Sequence, residues 1–154
     1  MTQALPRKVA EEFRQAYAVR DTDRIAPFLH DNVEWTISGP VEYLGFCGTY
    51  RGKTAVLDLI KHRIPQVLRT FRFEPEFVVI DGDELAMLHR QSSRRAEDGR
   101  VINYRVANFL KFRDGKIIKN LSLLDTFDAV EQVIGHRIQF DIGENKNGGN
   151  LVAV

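Results

Sequence analysis

Residues 70–125 read TFRFEPEFVVIDGDELAMLHRQSSRRAEDGRVINYRVANFLKFRDGKIIKNLSLLD. Three Asp-Gly pairs, Asp81-Gly82, Asp98-Gly99 and Asp114-Gly115, divide this stretch into four runs rich in aromatic and branched residues. Glycine enters positive φ without steric cost and aspartate bonds its own backbone, so Asp-Gly between apolar runs marks a hairpin turn. Four runs and three turns predict an antiparallel four-stranded meander. In the first run Phe71, Phe73, Phe77 and Val79 alternate with Arg72, Glu74 and Glu76. Pro75 cannot donate to a ladder, which predicts an edge position or a bulge.

The turns also decide which side chains face inward. A three-residue turn at Asp114-Gly115, with a left-handed glycine and a bulge, sets Phe112 opposite Ile118, Leu110 opposite Asn120 and Asn108 opposite Ser122. Tyr104, Val106, Asn108, Leu110 and Phe112 then share a face with Ile118, Asn120, Ser122 and Leu124. The opposite face carries Asn103, Arg105, Lys111, Arg113 and Lys119, so the even-numbered face is the inner one. A similar bulged turn at Asp81-Gly82 adds Leu85, Met87, His89, Gln91 and Ser93 beside Phe71, Phe73 and Phe77; a tight two-residue turn would put Ala86, Leu88 and Arg90 inside. The bulged form is favoured because it keeps Arg90 and Arg94 out of the core, where an unpaired guanidinium is costly. On this register His89, Gln91, Asn108, Asn120 and Ser122 converge, framed by Trp35, Met87, Tyr104 and Phe112. A buried polar group without a partner costs about 1–3 kcal/mol. Five together form a mutual network or line a ligand cavity, and small polar groups set in aromatic walls favour the cavity.

Upstream, Leu5, Val9, Phe13 and Tyr17 recur every four residues as the apolar stripe of a first helix, while Arg7, Glu11, Arg14 and Arg20 face elsewhere. Asp21 caps a short second helix bearing Ile25, Phe28 and Leu29, which His30-Asp31-Asn32 ends. Val33, Trp35 and Ile37 alternate with Glu34 and Thr36 as a half-buried strand. Ser38 to Gly52, rich in glycine but holding Tyr43, Leu44, Phe46 and Tyr50, reads as a loop that folds back onto the body and can rim a pocket. Thr54 then caps a third helix with Val56, Leu57, Ile60 and Ile64 on its apolar face, ended or kinked by Pro65. After the meander, Asp125 or Thr126 caps a last short helix stopped by Gly135. Helices gathered ahead of one sheet, in the order α-α-β-α-β-β-β-β, indicate an α+β fold. One domain over residues 1–138 is expected, with 139–154 a loose tail.

Composition narrows the function. With 154 residues, 44% hydrophobic, one core is well supplied. Lys and Arg number 22 against 21 Asp and Glu, so there is no bulk attraction to nucleic acid or an anionic membrane. Arg90, Arg94, Arg95, Arg100 and Arg105 gather near the second turn, but no RNA-reading aromatic motif accompanies them, and a solvated outer face or dimer surface explains them better. A single Cys47 forms no internal disulfide, and MTQALPRKVAEEF lacks a signal-peptide core, so a cytoplasmic protein is expected. His30, His62 and His136 have no metal-ligand spacing to one another or to Cys47, and neither metal nor cofactor is expected.

The helix with a late Tyr17, Asp21 opening a second helix, HDNVEW, YRGKTAV and FRDGKI closing with LLD resemble the nuclear transport factor 2-like superfamily. Within it, the chain is similar to the SnoaL-like polyketide cyclase, ketosteroid isomerase and limonene epoxide hydrolase group over about residues 5–135. The resemblance implies a cone: a strongly curved sheet wrapped by three helices, holding a cavity for a small, largely hydrophobic molecule and forming a homodimer through its outer sheet face. It also implies where chemistry would sit. The last-strand carboxylate of cyclase-like and epoxide-hydrolase-like members falls on Ser122, a neighbouring polar position on Asn108, an Arg–Asp pair near His89 and Gln91, and the steroid-isomerase base near Thr36. None of these residues here is an acid.

The site expected is therefore His89 as proton shuttle, the one inward titratable group, or else a satisfied core histidine. Gln91, Asn108, Asn120 and Ser122 supply hydrogen bonds, with Trp35, Met87, Tyr104 and Phe112 as walls. Tyr17 either points its hydroxyl into the cavity or is plain core. An isomerase, cyclase or hydratase-like enzyme and a non-catalytic binding or assembly module both fit this set.

Overall fold

The computed structural model describes residues 3–139, so the expected tail lies, save its first residue, outside the described residues. The chain begins with α1 (Arg7–Ala18) and α2 (Thr22–Ile25), then a 3₁₀ turn (Ala26–Phe28) leads into β1 (Leu29–Ser38) and β2 (Gly48–Arg51). The third helix, α3 (Lys53–Asp58), continues through a π turn (Leu59–Arg63) and a 3₁₀ turn (Ile64–Gln66), where Pro65 ends it. The meander follows as β3 (Leu68–Asp81), β4 (Glu84–Arg95), β5 (Val101–Arg113) and β6 (Lys116–Leu124), and α4 (Thr126–Ile134) closes the fold.

All six strands form one unclosed sheet in the order β2-β1-β6-β5-β4-β3. Extra residues slip the register in β1, twice in β3 and between β5 and β6, and such bulges bend a sheet and deepen its twist. The result is the α+β cone. Its inner face packs against α1, where Phe13 meets Phe28 and Phe112 edge-on, and Tyr17 meets Trp35 and Phe73.

Several local expectations need correction. Ser38 to Gly52 is not wholly loop, because Gly48–Arg51 pairs antiparallel with β1; its Leu44, Phe46 and Cys47 do fold back and are buried. The first strand starts at Leu29, so His30 to Asn32 opens β1 instead of ending a helix, and β1 runs parallel to β6, the one parallel pair in the sheet. Thr54 does not cap α3: Gly52, at φ 90°, holds that position with no side-chain bond. Asp21 caps α2 as expected, its Oδ1 accepting from the Asp23 and Arg24 N–H groups at 3.1 Å each. Asp125 precedes α4 without a side-chain cap, and left-handed Gly135 ends it.

The inner face follows the expected register by a different route. Asp114 (φ 50°) and Gly115 (φ 73°) form a tight two-residue turn closed by Arg113 and Lys116. A bulge just beyond it then restores Leu110 opposite Asn120 and Asn108 opposite Ser122. The cost of that bulge is that Ile117, not Ile118, is the buried isoleucine. At the first turn the loop is Gly82-Asp83, with Asp81 paired to Glu84. Leu85, Met87, His89, Gln91 and Ser93 are buried as expected, but Val78 and Ile80 face them across β3, leaving Phe77 and Val79 outside at 62% and 43% exposure. Bulges on either side of Phe73 turn that ring inward and Phe71 outward, and Pro75 lies on the sheet's edge strand.

Candidate functional site

Every polar residue expected on the inner face is buried there: His89, Gln91, Asn108, Asn120 and Ser122 each expose 3% or less. They form two networks rather than one. On β4, the Gln91 Oε1 accepts from the Thr70 hydroxyl at 3.2 Å and the Tyr104 hydroxyl at 3.3 Å. Gln91 Nε2 is then the donor toward His89 Nε2, 2.8 Å away, which places the imidazole proton on Nδ1. That Nδ1 is buried without a partner. His89 stacks on Phe73 with ring centroids 4.0 Å apart and meets Tyr17 edge-on. Burial first, then the charges of Arg20 and Arg14, push its pKa down to about 3, so at neutral pH His89 is an uncharged ring.

On β5 and β6, Asn108 Nδ2 donates to Ser122 Oγ at 2.7 Å and to Asn120 Oδ1 at 3.3 Å, and Asn120 Nδ2 donates to the same Ser122 Oγ at 2.9 Å. A hydroxyl oxygen accepts two hydrogen bonds and donates one. With both acceptor positions taken by amides, Ser122 has only its O–H left to offer.

These networks meet a narrow void of about 30 Å³. Its polar lining is Tyr17, Arg20, Gln91, Tyr104 and Ser122. Ile37, Phe46, Ile64, Val106 and Leu124 form the apolar remainder, Phe46 from the glycine-rich loop and Ile64 from the end of the third helix. The structure thus brings Tyr17, Gln91, Tyr104 and Ser122 to the void, whereas His89, Asn108 and Asn120 lie behind it as partners of the lining residues. Trp35, Met87 and Phe112 are buried core away from it. The void itself is far smaller than the roughly 300–1,000 Å³ of ordinary ligand pockets, and comparable to the space of one water molecule.

Arg20 is the residue that the sequence reading turned toward solvent. It sits two residues past the end of α1, just beyond the Val19 cap, at φ 57°, a left-handed conformation that costs a non-glycine residue on the order of 1 kcal/mol. Its guanidinium carbon lies 4.0 Å from the Tyr17 ring centroid, and Nε and Nη1 are buried with no hydrogen-bond partner. Arg20 follows Tyr17 by three residues, but it lies beyond the helix in left-handed conformation, so helical spacing does not place its side chain. No carboxylate lines the void among the described residues. Burial holds the Tyr104 phenol above its ordinary pKa, which keeps its proton in place.

Elsewhere the chemistry is quiet. Cys47 is buried, and burial pushes its thiol up to about 11. Among the described residues no three His, Cys, Asp or Glu side chains gather as a metal would require. The arginines near the second turn are committed: Arg90 and Arg105 share Glu76, Arg95 binds Asp98 and the Val133 carbonyl, and Arg100 reaches the same carbonyl. No described helix is long and apolar enough to cross a membrane.

Comparison with known proteins places this geometry. Residues 10–120 match the family model described as a SnoaL-like domain. A protein of Rhodopseudomonas palustris, named only provisionally as an isomerase, is 33% identical with a TM-score of 0.74, over 83% of this chain and 97% of that one. A nuclear transport factor 2-like protein of unknown function from Burkholderia pseudomallei is 21% identical, TM-score 0.69, over 82% and 93% of the two chains. A hypothetical protein from Catenulispora acidiphila with a ketosteroid isomerase-like fold, in complex with trimethylamine, shares 10% identity at a TM-score of 0.66, over 86% and 95%. The last two likenesses are of fold alone. No curated protein matches the chain significantly.

Proposed function

The chain belongs to the SnoaL-like domain family within the nuclear transport factor 2-like superfamily, and from that premise we propose that its inner face binds a small, largely apolar, oxygenated molecule. The observation that carries this is Ser122: two buried amides fill its acceptor positions and leave an O–H donor at a void walled by Phe46, Ile64 and Leu124. A donor fixed in this way needs no reorganisation to meet a ligand oxygen. Because the void is small, the ligand enters with its oxygen-bearing end, and half-buried side chains at the mouth move to admit the rest.

An isomerase-type reaction is the second reading, favoured by the Rhodopseudomonas palustris relative. In it the Ser122 hydroxyl polarises a carbonyl oxygen as charge develops there. His89 is assigned a positioning role, since a ring that is neutral down to about pH 3 is a poor proton shuttle at neutral pH. It holds the Gln91 amide in one orientation, and Gln91 in turn anchors the Tyr104 hydroxyl at the void.

The outer sheet face supports a homodimer. Phe109, Val79 and Leu123 are 48%, 43% and 43% exposed, and a depression of about 470 Å³ lies among Val79, Ala86, Phe109 and Leu121. Its rim carries Lys111 and Lys119 with Asp81 and Glu84, both signs on one patch, as a two-fold interface between identical copies requires.

Native mass spectrometry of the freshly purified protein, with thermal shifts on Ser122→Ala, tests the binding reading. A co-purified small molecule that Ser122→Ala loses supports it. An empty protein that no oxygenated apolar compound stabilises counts against it.

A further inference from the structure

We infer that the group this void receives is anionic: a carboxylate on a small apolar body, with the Arg20 guanidinium as its counter-ion. The inference rests on the binding reading above and names the ligand class for it.

Arginine carries five N–H donors and a charge that no physiological pH removes. In this structure none of those donors is used by a described residue. Nε and Nη1 are sealed from water without a partner, and no ion pair with Arg20 exists among the described residues. Asp21, the next residue, spends Oδ1 on two backbone N–H groups at the start of α2 and makes no ion pair with Arg20. Arg20 as a residue is half-buried, but two nitrogens of its guanidinium are cut off from water with no acceptor, a place where charge is ordinarily paired and where the chain supplies no partner.

The backbone leads to the same conclusion. The position after a helix end in left-handed conformation is the usual place for glycine, yet arginine occupies it. Held there by the Arg20 N–H to Tyr17 carbonyl bond, the chain turns back and lays the guanidinium across the Tyr17 ring. That face contact fixes the plane of the group while leaving its N–H edge free. An edge of a guanidinium meets a carboxylate through two parallel hydrogen bonds, a fit that lysine cannot reproduce.

The rest of the lining suits such a ligand. Ser122 presents a donor, no lining residue is acidic, and Ile37, Phe46, Ile64 and Leu124 offer apolar surface for the ligand's body. A neutral ligand oxygen would leave the Arg20 charge as uncompensated as before.

The test titrates benzoate and its neutral isostere benzamide into the full-length protein by calorimetry and thermal shift, with acetate and 2-naphthoate as smaller and larger acids. Benzoate is expected to bind about tenfold or more tighter than benzamide, and added salt should narrow the gap. Arg20→Gln and Arg20→Gly should abolish the preference; the glycine variant also relaxes the left-handed backbone, so loss of fold does not explain its result. Equal binding of benzoate and benzamide, each weakened by Ser122→Ala, overturns the anion assignment and leaves the binding reading intact. Benzoate affinity unchanged in both Arg20 variants shows that Arg20 only plugs the mouth over Tyr17, which also overturns it. If none of the three acids and no neutral probe binds, both readings fail together.

Discussion

Replacing His89 by leucine should make the stability of this protein less sensitive to acid. In the folded chain the imidazole, enclosed by Phe73 and Tyr17 and close to the charge of Arg20, takes up a proton only near pH 3, against an ordinary value of 6.5. An unfolded chain therefore binds a proton that the folded chain refuses throughout that window. Since the folded pKa is depressed, stability is retained above pH 6.5 and falls as the pH drops toward 3. Each pH unit well inside the window is worth about 1.4 kcal/mol, and at pH 6.5 the unfolded imidazole is already half protonated, so wild type should lose about 2 kcal/mol between pH 6.5 and 4.5 from this residue alone. His89→Leu leaves Gln91 Nε2 without its acceptor, a cost of about 1–3 kcal/mol at neutral pH. The change also removes the unpartnered buried Nδ1, which offsets part of that cost. Urea denaturation of both proteins at pH 7.5, 6.5, 5.5 and 4.5 should give curves of stability against pH that converge or cross. Carboxylates titrating at the acid end act on both proteins alike, so the difference between them isolates His89. Parallel curves, or a resonance lost in His89→Leu that titrates near pH 6.5 in the folded wild type, would refute the assignment of a sealed, neutral ring.

Three further outcomes are expected. Phe109→Glu, which sets a charge in the outer-face depression, should convert a dimer into monomer by size-exclusion chromatography with light scattering; an unchanged mass removes that face as the interface. Asp21→Ala deletes the acceptor for two N–H groups at the start of α2 and should cost about 1 kcal/mol, read as a melting point about 2–4 °C lower. Cys47, buried and with its thiol pushed up to about 11, holds on the order of 0.1% thiolate at pH 8. Ellman's reagent should label it at the rate of unfolding, and rapid stoichiometric labelling of native protein would contradict its burial.

Much of the fold was legible because turn chemistry and alternation constrain each other. Asp114-Gly115 led to the correct partners for Asn108 and Leu110 although the turn is tighter than expected, because a later bulge adds back the residue that the turn omits. On β3 the compensating bulge comes only at Pro75–Phe77, so it brings Phe73 inward but not the residues nearer the turn. There the loop is Gly82-Asp83, one residue later than the Asp-Gly pair suggests, and Phe77 and Val79 therefore face outward; the run Phe77-Val78-Val79-Ile80 is apolar throughout, so its sequence does not choose between the faces. Alternation alone identifies two faces but does not say which is inside. For β4 the choice was decidable, since one of its faces would have buried Arg90. Position 48–51 was missed as a strand because glycine-rich sequence resembles loop, and its pairing with β1 comes from tertiary contact rather than local preference. Arg20 was hidden for a related reason: charge predicts solvent, and a left-handed arginine has no sequence signature.

The position that matters most is Ser122, where the resemblance to cyclase-like and epoxide-hydrolase-like chains places a carboxylate. A carboxylate there would accept from Asn108 and Asn120, sit in the same void as Arg20, and supply both a base and a counter-ion. Serine keeps the two amide bonds and gives up the charge. Arg20 is then left without a partner for Nε and Nη1, and the hydroxyl, whose oxygen accepts from both amides, keeps its proton to donate. With His89 neutral and no acid in the lining, the void is lined by hydrogen-bond donors and one positive charge, and apart from the unpartnered Asn108 Oδ1 behind it the inner face holds no free acceptor and no base at neutral pH. A site of this polarity stabilises negative charge brought to it. Any proton that moves there must be taken by the ligand or by water, so the cone is built to hold an anion first, and chemistry follows only if that anion is itself the base.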